Sequence, residues 1–279
     1  MPYFARLAAT FSAIILATTA PLAAQQRDTN GVTPLTAEQT AAVGDIIARG
    51  EALYRYDQAA WHTTDKLVAA HIPQEVMRRI IGWVVVPAPE GLKVIYYGRE
   101  ADRHIMIYSS VWSGGTDVSA ERRYDPEFSI LAGEEARLVA LREQIDASGF
   151  LLCASRPFNT VILPASVTSA SDSVYFLTPQ VDNRTVPLGG HHRVDIVDGV
   201  QRPVRSVTRS CINMPPPPRG AMFGINHITS AVPTEEYIFT ALTQRRSFVV
   251  MTPDNGTAWI IEPRDGRATL GTVRMADRH

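Results

Sequence analysis

After Cys153 the chain becomes a succession of short apolar runs broken by turn dipeptides, and this pattern narrows the accessible folds most. Candidate strands cover Phe158–Leu163, Val174–Thr178, His191–Val197, Val204–Cys211, Met222–Thr229, Tyr237–Leu242, Phe248–Thr252, Thr257–Glu262 and Arg267–Val273. A parallel, doubly wound sheet needs a helix between successive strands, and this half reads as strand throughout. Asn255-Gly256, Asp198-Gly199 and Asp265-Gly266 each suit a two-residue hairpin turn, whose central positions both need φ > 0. Pro215 to Pro218 reads as a rigid polyproline spacer. The expectation is an antiparallel sheet, curved or two-layered, with helices on a face or end.

The first half has a different period. Thr36-Ala37-Glu38-Gln39 matches a capping box, which satisfies orphan amides at a helix start. Apolar or small residues then recur at helical spacing from Val43 to Val68, with Gly50 or Thr63-Thr64 as places where one long helix would divide. Pro73 can open a short helix to Arg79. Ile80 to Val86 reads as a strand, and Leu92–Tyr97 with His104–Trp112 reads as a hairpin. Ser129 is placed to cap a helix over 130–148, with Gly149 as its stop. Tyr96 and Tyr97 point to opposite sides of their strand, so one of them is expected at the surface.

Residues 1–24 have the parts of a secretory signal. Arg6 supplies positive charge, Leu7 to Ala17 form an apolar stretch, and small residues follow to a cleavage point after Ala24. The segment is too rich in Ala and Thr, and too short, for a membrane span. A periplasmic or secreted location follows, with no span in the mature protein. Residues 25–35 read as a flexible lead-in, and 36–279 as a single α+β domain; the alternative is two intimate subdomains, 36–149 and 150–279.

Export bears on the two cysteines. In an oxidising compartment Cys153 and Cys211 are expected to pair. Closing that loop should stabilise the fold by roughly 4 kcal/mol in the chain-entropy model. The fold class expected is therefore α+β: a helical N-terminal part and an antiparallel β-rich C-terminal half stapled by one disulfide.

The charge balance is 27 basic against 28 acidic residues, which argues against nucleic acid as a partner. The densest polar cluster is Gly189-Gly190-His191-His192-Arg193-Val194-Asp195. Imidazole and carboxylate are common zinc ligands, but neighbouring strand residues face opposite ways, so His191 and His192 do not readily grip one ion. The plainer reading pairs Asp195 with Arg193 or Arg202 and leaves His192 hydrogen-bonded at the core edge. His227, Glu235 and Glu236 form a second group, in which one glutamate could act as base to a metal-bound water. Nucleophile elbows, phosphate loops and HExxH are all absent. Tyr54, Tyr56, Trp61, Tyr96, Tyr97, Tyr108 and Trp112 would suit a glycan or peptide platform where exposed, and core packing where not.

No motif assigns a reaction. The expectation is a non-catalytic envelope or secreted protein that binds a protein or small-molecule ligand through a β surface, without a cofactor. The alternative is a zinc-assisted hydrolase with His191 or His192 and His227 as ligands and Glu235 or Glu236 as base.

Overall fold

Thr36 starts the long helix α1 (Ala37–Ala69) through the expected capping box. The Gln39 amide donates to Thr36 Oγ1 at 3.1 Å, and the Thr36 amide donates to Gln39 Oε1 at 2.9 Å. The structure, a computed structural model, describes residues 36–125, 129–168 and 171–274, so the leader at 1–24 and the lead-in at 25–35 lie outside them. Neither candidate break divides α1. Thr63 and Thr64 turn their hydroxyls back to the carbonyls of Ala59 and Ala60, and both also meet the Tyr96 hydroxyl, at 2.9 and 2.7 Å. A short helix α2 (Gln74–Met77) follows Pro73.

The next stretch is a four-stranded antiparallel meander: β1 (Gly82–Ala88), β2 (Gly91–Glu100), β3 (Arg103–Gly114) and β4 (Asp117–Arg123). β4 is polar and largely exposed, which is why apolar periodicity did not mark it. Tyr96 and Tyr97 do point oppositely, yet both are buried. Tyr96 packs toward α1, and Tyr97 packs toward α3 (Gly133–Glu143). The sheet is covered on both faces, so the expected surface tyrosine does not exist. α3 itself is shorter than 130–148 and is capped at Ala132. Ser129 instead accepts the Asp125 amide at 2.7 Å, and Ile130 forms a bridge with Ile105.

The second sheet contains β5 (Asn159–Leu163), β6 (Asp172–Leu177), β8 (His192–Val197) and β10 (Arg205–Ser206), with β9 (Val200–Gln201) on β8. The short helix α4 (Ala165–Thr168) lies between β5 and β6, and β7 (Val186–Pro187) pairs with β11 (Asn213–Met214). The segment 204–211 therefore contributes only a two-residue strand. The Cys153–Cys211 disulfide is formed, with Cα atoms 5.3 Å apart. Gly189 and Gly190 let the segments around it close in. A Cβ on Gly189 would lie 2.6 Å from the Ser210 carbonyl oxygen, and one on Gly190 2.5 Å from Cys153 Sγ.

The C-terminal sheet holds the main departure from expectation. It runs β12 (Phe223–Asn226), β13 (Phe248–Thr252), β14 (Thr257–Arg264), β15 (Arg267–Arg274), and β12 pairs with β13 in parallel. Parallel neighbours need a crossover, and the segment 237–242 supplies it as helix α5 (Glu235–Gln244), not as a strand. The run is short and apolar, and a buried helix and a buried strand look alike at that length. Asp198-Gly199 and Asp265-Gly266 adopt positive φ at both positions, as their hairpin turns require. Asn255-Gly256 does not: Pro253–Asn255 form a 3₁₀ turn and only Gly256 is left-handed.

α1 links the layers. Ile46 joins α5 and the C-terminal sheet in one core, while Leu53, Tyr56, Ala59 and Leu67 join β1–β3, β5 and β6 in another. A third core lies between α3, β1–β2 and the second sheet. Leu53 is fully buried, which contributes about 2 kcal/mol of hydrophobic stabilisation. The whole is a mixed α+β architecture with mostly antiparallel sheets.

Candidate functional site

β8 places the sequence cluster first. Its burial alternates, with His192 and Val194 inward on the α3 side and Arg193 and Asp195 on the other. His191, just before the strand, is also buried. Its Nδ1 accepts the Thr178 amide at 3.1 Å, so Nε2 carries the proton and donates to the Pro187 carbonyl at 3.1 Å. Burial lowers its pKa to about 4. His192 contacts the Ser206 hydroxyl and the Leu151 carbonyl, both at 2.9 Å, and packs on Phe150 and Phe158. Each ring is occupied by backbone and hydroxyl partners.

The other face of β8 carries an ionic network between helices and sheet. Arg193 grips Asp195 through Nε and Nη2 at 2.6 and 2.7 Å. Ser173 donates to Asp195 at 2.6 Å, and Arg49 of α1 bridges Ser173 to Asp45. Arg193 also reaches Glu235 at 2.5 Å, where Tyr175 donates at 2.9 Å and Arg205 adds a further contact. Glu235 and Glu236 open α5, so both enter this interior rather than a strand face. Burial opposes charge on Glu235, but Arg205 and Arg193 outweigh it and hold the carboxyl below the usual range. Glu236 is pushed the other way, up to about 7, by burial and then by the charge of Glu235. Its carboxylate oxygens have no hydrogen-bond partner among the described residues, and Arg205 stands 3.9 Å away.

His227 does not join the other histidines. Its ring lies by Tyr237, 3.3 Å from the phenol oxygen, with Ser230 and Thr229 hydroxyls at 3.0 and 3.2 Å. Burial and then Arg205 lower its pKa to about 4. Among the described residues no three His, Cys, Asp or Glu side chains form a metal-sized cluster. His191, His192 and His227 are thus not brought together with Glu235 and Glu236 as one ligand set.

A concave surface lies elsewhere, along α1. Tyr54, Gln58 and Trp61 sit at i, i+4 and i+7 and share one side of the helix. A cavity of about 1190 Å³ and a second of about 480 Å³ are both lined by these three residues and by Arg245, so the two meet along α1. The larger is walled by aromatics and cations. Trp112 stacks on His62 at 5.8 Å with ring planes 9° apart, and its indole N–H is fixed on the Gly115 carbonyl at 2.9 Å. Trp61, 56% exposed, lies tilted against His62, with ring centroids 4.6 Å apart. Arg55, Arg245 and Arg264 line the same cavity and make no ion pair among the described residues. Glu51 is already bound to Arg267 and to the Ala268 amide, both at 2.9 Å, which ties the β14–β15 turn to α1.

The smaller cavity is richer in hydrogen-bonding groups. Among the described residues Asp57 accepts a single bond, from Asn159 at 3.2 Å, and burial raises its pKa to about 6. Gln180, joined to Gln244 at 2.8 Å, and the exposed Thr243 line it too. Tyr54, Trp61 and Trp112 were legible as aromatics, but Asp57, Gln58 and Arg245 carried no motif. Their convergence depends on α5 and the β14–β15 turn packing against α1.

The chain matches no protein-family model, no curated protein and no solved structure.

Proposed function

We propose that this is an exported, non-catalytic binding protein that takes its ligand in the cleft along α1. The observation that carries the reading is Trp61, a large aromatic left 56% exposed where the two cavities meet. It stands in a concave surface with Tyr54, Trp112 and three arginines that make no ion pair among the described residues, the combination of aromatic walls and a few convergent polar groups that ligand sites use. The ionic network around Glu235 has a different character. It is internally satisfied apart from Glu236, and its residues cross-link α1, β6, β8 and α5. On this reading the long wall of the binding surface is helix α1, whereas the sequence suggested a β surface. Export is supported by the sequence of residues 1–24 and by the disulfide, a bond that persists in oxidising compartments.

Protein-observed NMR against a mixed library of saccharides, short peptides and small acids tests the reading. Shifts confined to residues 54–62 and 240–245 support it. Shifts clustered elsewhere, or chemical turnover of a library member, overturn it. Cell fractionation that finds the protein in the cytoplasm overturns the export part alone.

A further inference from the structure

Resting on that reading, we infer that the ligand is an anionic oligosaccharide. Its hydroxylated rings would lie on Asp57, Asn159 and Trp61, and its acid groups would lie toward Arg55, Arg245 and Arg264.

The two cavities ask for different chemistry, and a charged sugar chain supplies both. In the smaller one Asp57 is a partly buried carboxyl with one amide donor, so it has lone pairs left for hydroxyl donors. Asn159, Gln180 and Thr243 add donors and acceptors spaced around it. That is a surface for vicinal hydroxyls, and it disfavours a ligand carboxylate at the same place. Trp61 offers a flat apolar face beside these polar groups, suited to the C–H face of a sugar ring.

In the larger cavity the sign reverses. Among the described residues Arg55, Arg245 and Arg264 are exposed and unpaired, and of the lining acids Asp265 alone opposes them freely, because Glu51 is held by Arg267. Guanidinium groups fit carboxylate and sulfate oxygens bidentately. An acidic peptide would satisfy the arginines but not Asp57. It would also gain no backbone ladder, because the long wall is a helix whose amides are already bonded.

Titration calorimetry with the disulfide-bonded protein, at low and physiological salt, discriminates. The probes are tetragalacturonate, a sulfated tetrasaccharide, neutral cellotetraose and tetraglutamate. One or both charged saccharides should bind about tenfold or more tighter than cellotetraose, with the gap narrowing in salt. Which of them does so identifies the anion as carboxylate or sulfate. Trp61→Ala should abolish saccharide binding, and Arg264→Gln, at a residue that lines the larger cavity and not the smaller, should narrow the preference for charged chains severalfold. Both side chains are exposed, and circular dichroism checks that the variants fold. Equal binding of neutral and charged chains overturns the anionic assignment. Tetraglutamate bound in the cleft without saccharide binding overturns the ligand class and leaves the cleft reading standing. Binding that Trp61→Ala does not change, or no binding of any probe, overturns the inference. The cleft reading itself then stands or falls on the library NMR.

Discussion

Gly50 of α1 lies so close to Ile238 of α5 that a Cβ at Gly50 would sit 2.4 Å from the Ile238 Cβ and 2.8 Å from the Glu235 carbonyl oxygen. The glycine is a contact point between two helices rather than a break in one. Helix propensity alone would make Gly50→Ala stabilising by roughly 1 kcal/mol. The steric conflict is with a branched Cβ and a backbone oxygen, neither of which swings away, and overpacking of this kind costs about 1–3 kcal/mol or more. Gly50→Ala should therefore lower stability, whereas Gly44→Ala, with open space around it, should raise it slightly. Denaturant midpoints of the two variants check the pair of signs.

Glu236 should make the protein less stable as pH rises toward neutrality. Its folded pKa is raised from the ordinary value of 4.5 to about 7. Its contribution is full below the unfolded pKa and is lost as pH rises through the folded one. Glu235 of the same helix, Arg205 from β10, and Tyr175 and Tyr237 are the ionisable groups coupled to it. Glu236→Gln should remove the decline between about pH 5 and 7. Glu235→Gln should behave oppositely, destabilising at pH 7 by about 1–3 kcal/mol, because it removes the carboxylate that Arg193, Arg205 and Tyr175 share while Asp195 still holds Arg193. Urea unfolding at several pH values separates the two glutamates.

His191 should remain neutral far below the usual histidine range. Its folded pKa is lowered to about 4 from 6.5, chiefly by burial. A group depressed in this sense contributes stability that is complete above the unfolded pKa and is lost as pH falls. Imidazole nitrogen shifts should report one neutral tautomer, protonated at Nε2, down to about pH 5, at a ring whose Nδ1 accepts the Thr178 amide. A free titration near 6.5 would contradict the hydrogen bonding described for this ring.

The disulfide should be worth roughly 4 kcal/mol to the folded state, given the 58-residue separation of its cysteines. The Cys153→Ser, Cys211→Ser double variant is expected to lose about 8–16 °C in Tm. Thiol titration of the unreduced, denatured wild type should find no free sulfhydryl. Gly190→Ala should disturb the same junction, since its φ is +72° and a Cβ would press on Cys153 Sγ.

Several features needed no tertiary context. The capping box at Thr36 and the Asp198-Gly199 and Asp265-Gly266 turns follow from local stereochemistry, and the disulfide joins the two cysteines expected to pair. Hydrogen bonds three residues apart and φ > 0 at an Asp-Gly pair are local facts, and local facts are written in the residues involved. The ion pair of Arg193 with Asp195 belongs to the same group.

What only the tertiary structure decided is equally specific. The segment 237–242 is helical because β12 and β13 run parallel and need a crossover, a constraint set by strands on either side of it. Glu235 is held below the usual carboxyl range and Glu236 above it, at adjacent positions, because Arg193 and Arg205 bond the first, while burial and the charge of Glu235 outweigh Arg205 at the second. The cleft draws Trp61 from α1, Arg245 from the end of α5 and Arg264 from β14. Sequence periodicity records which way a side chain faces within its own element. Which distant element meets that face depends on packing among helices and sheets, and a binding site is made at those meetings.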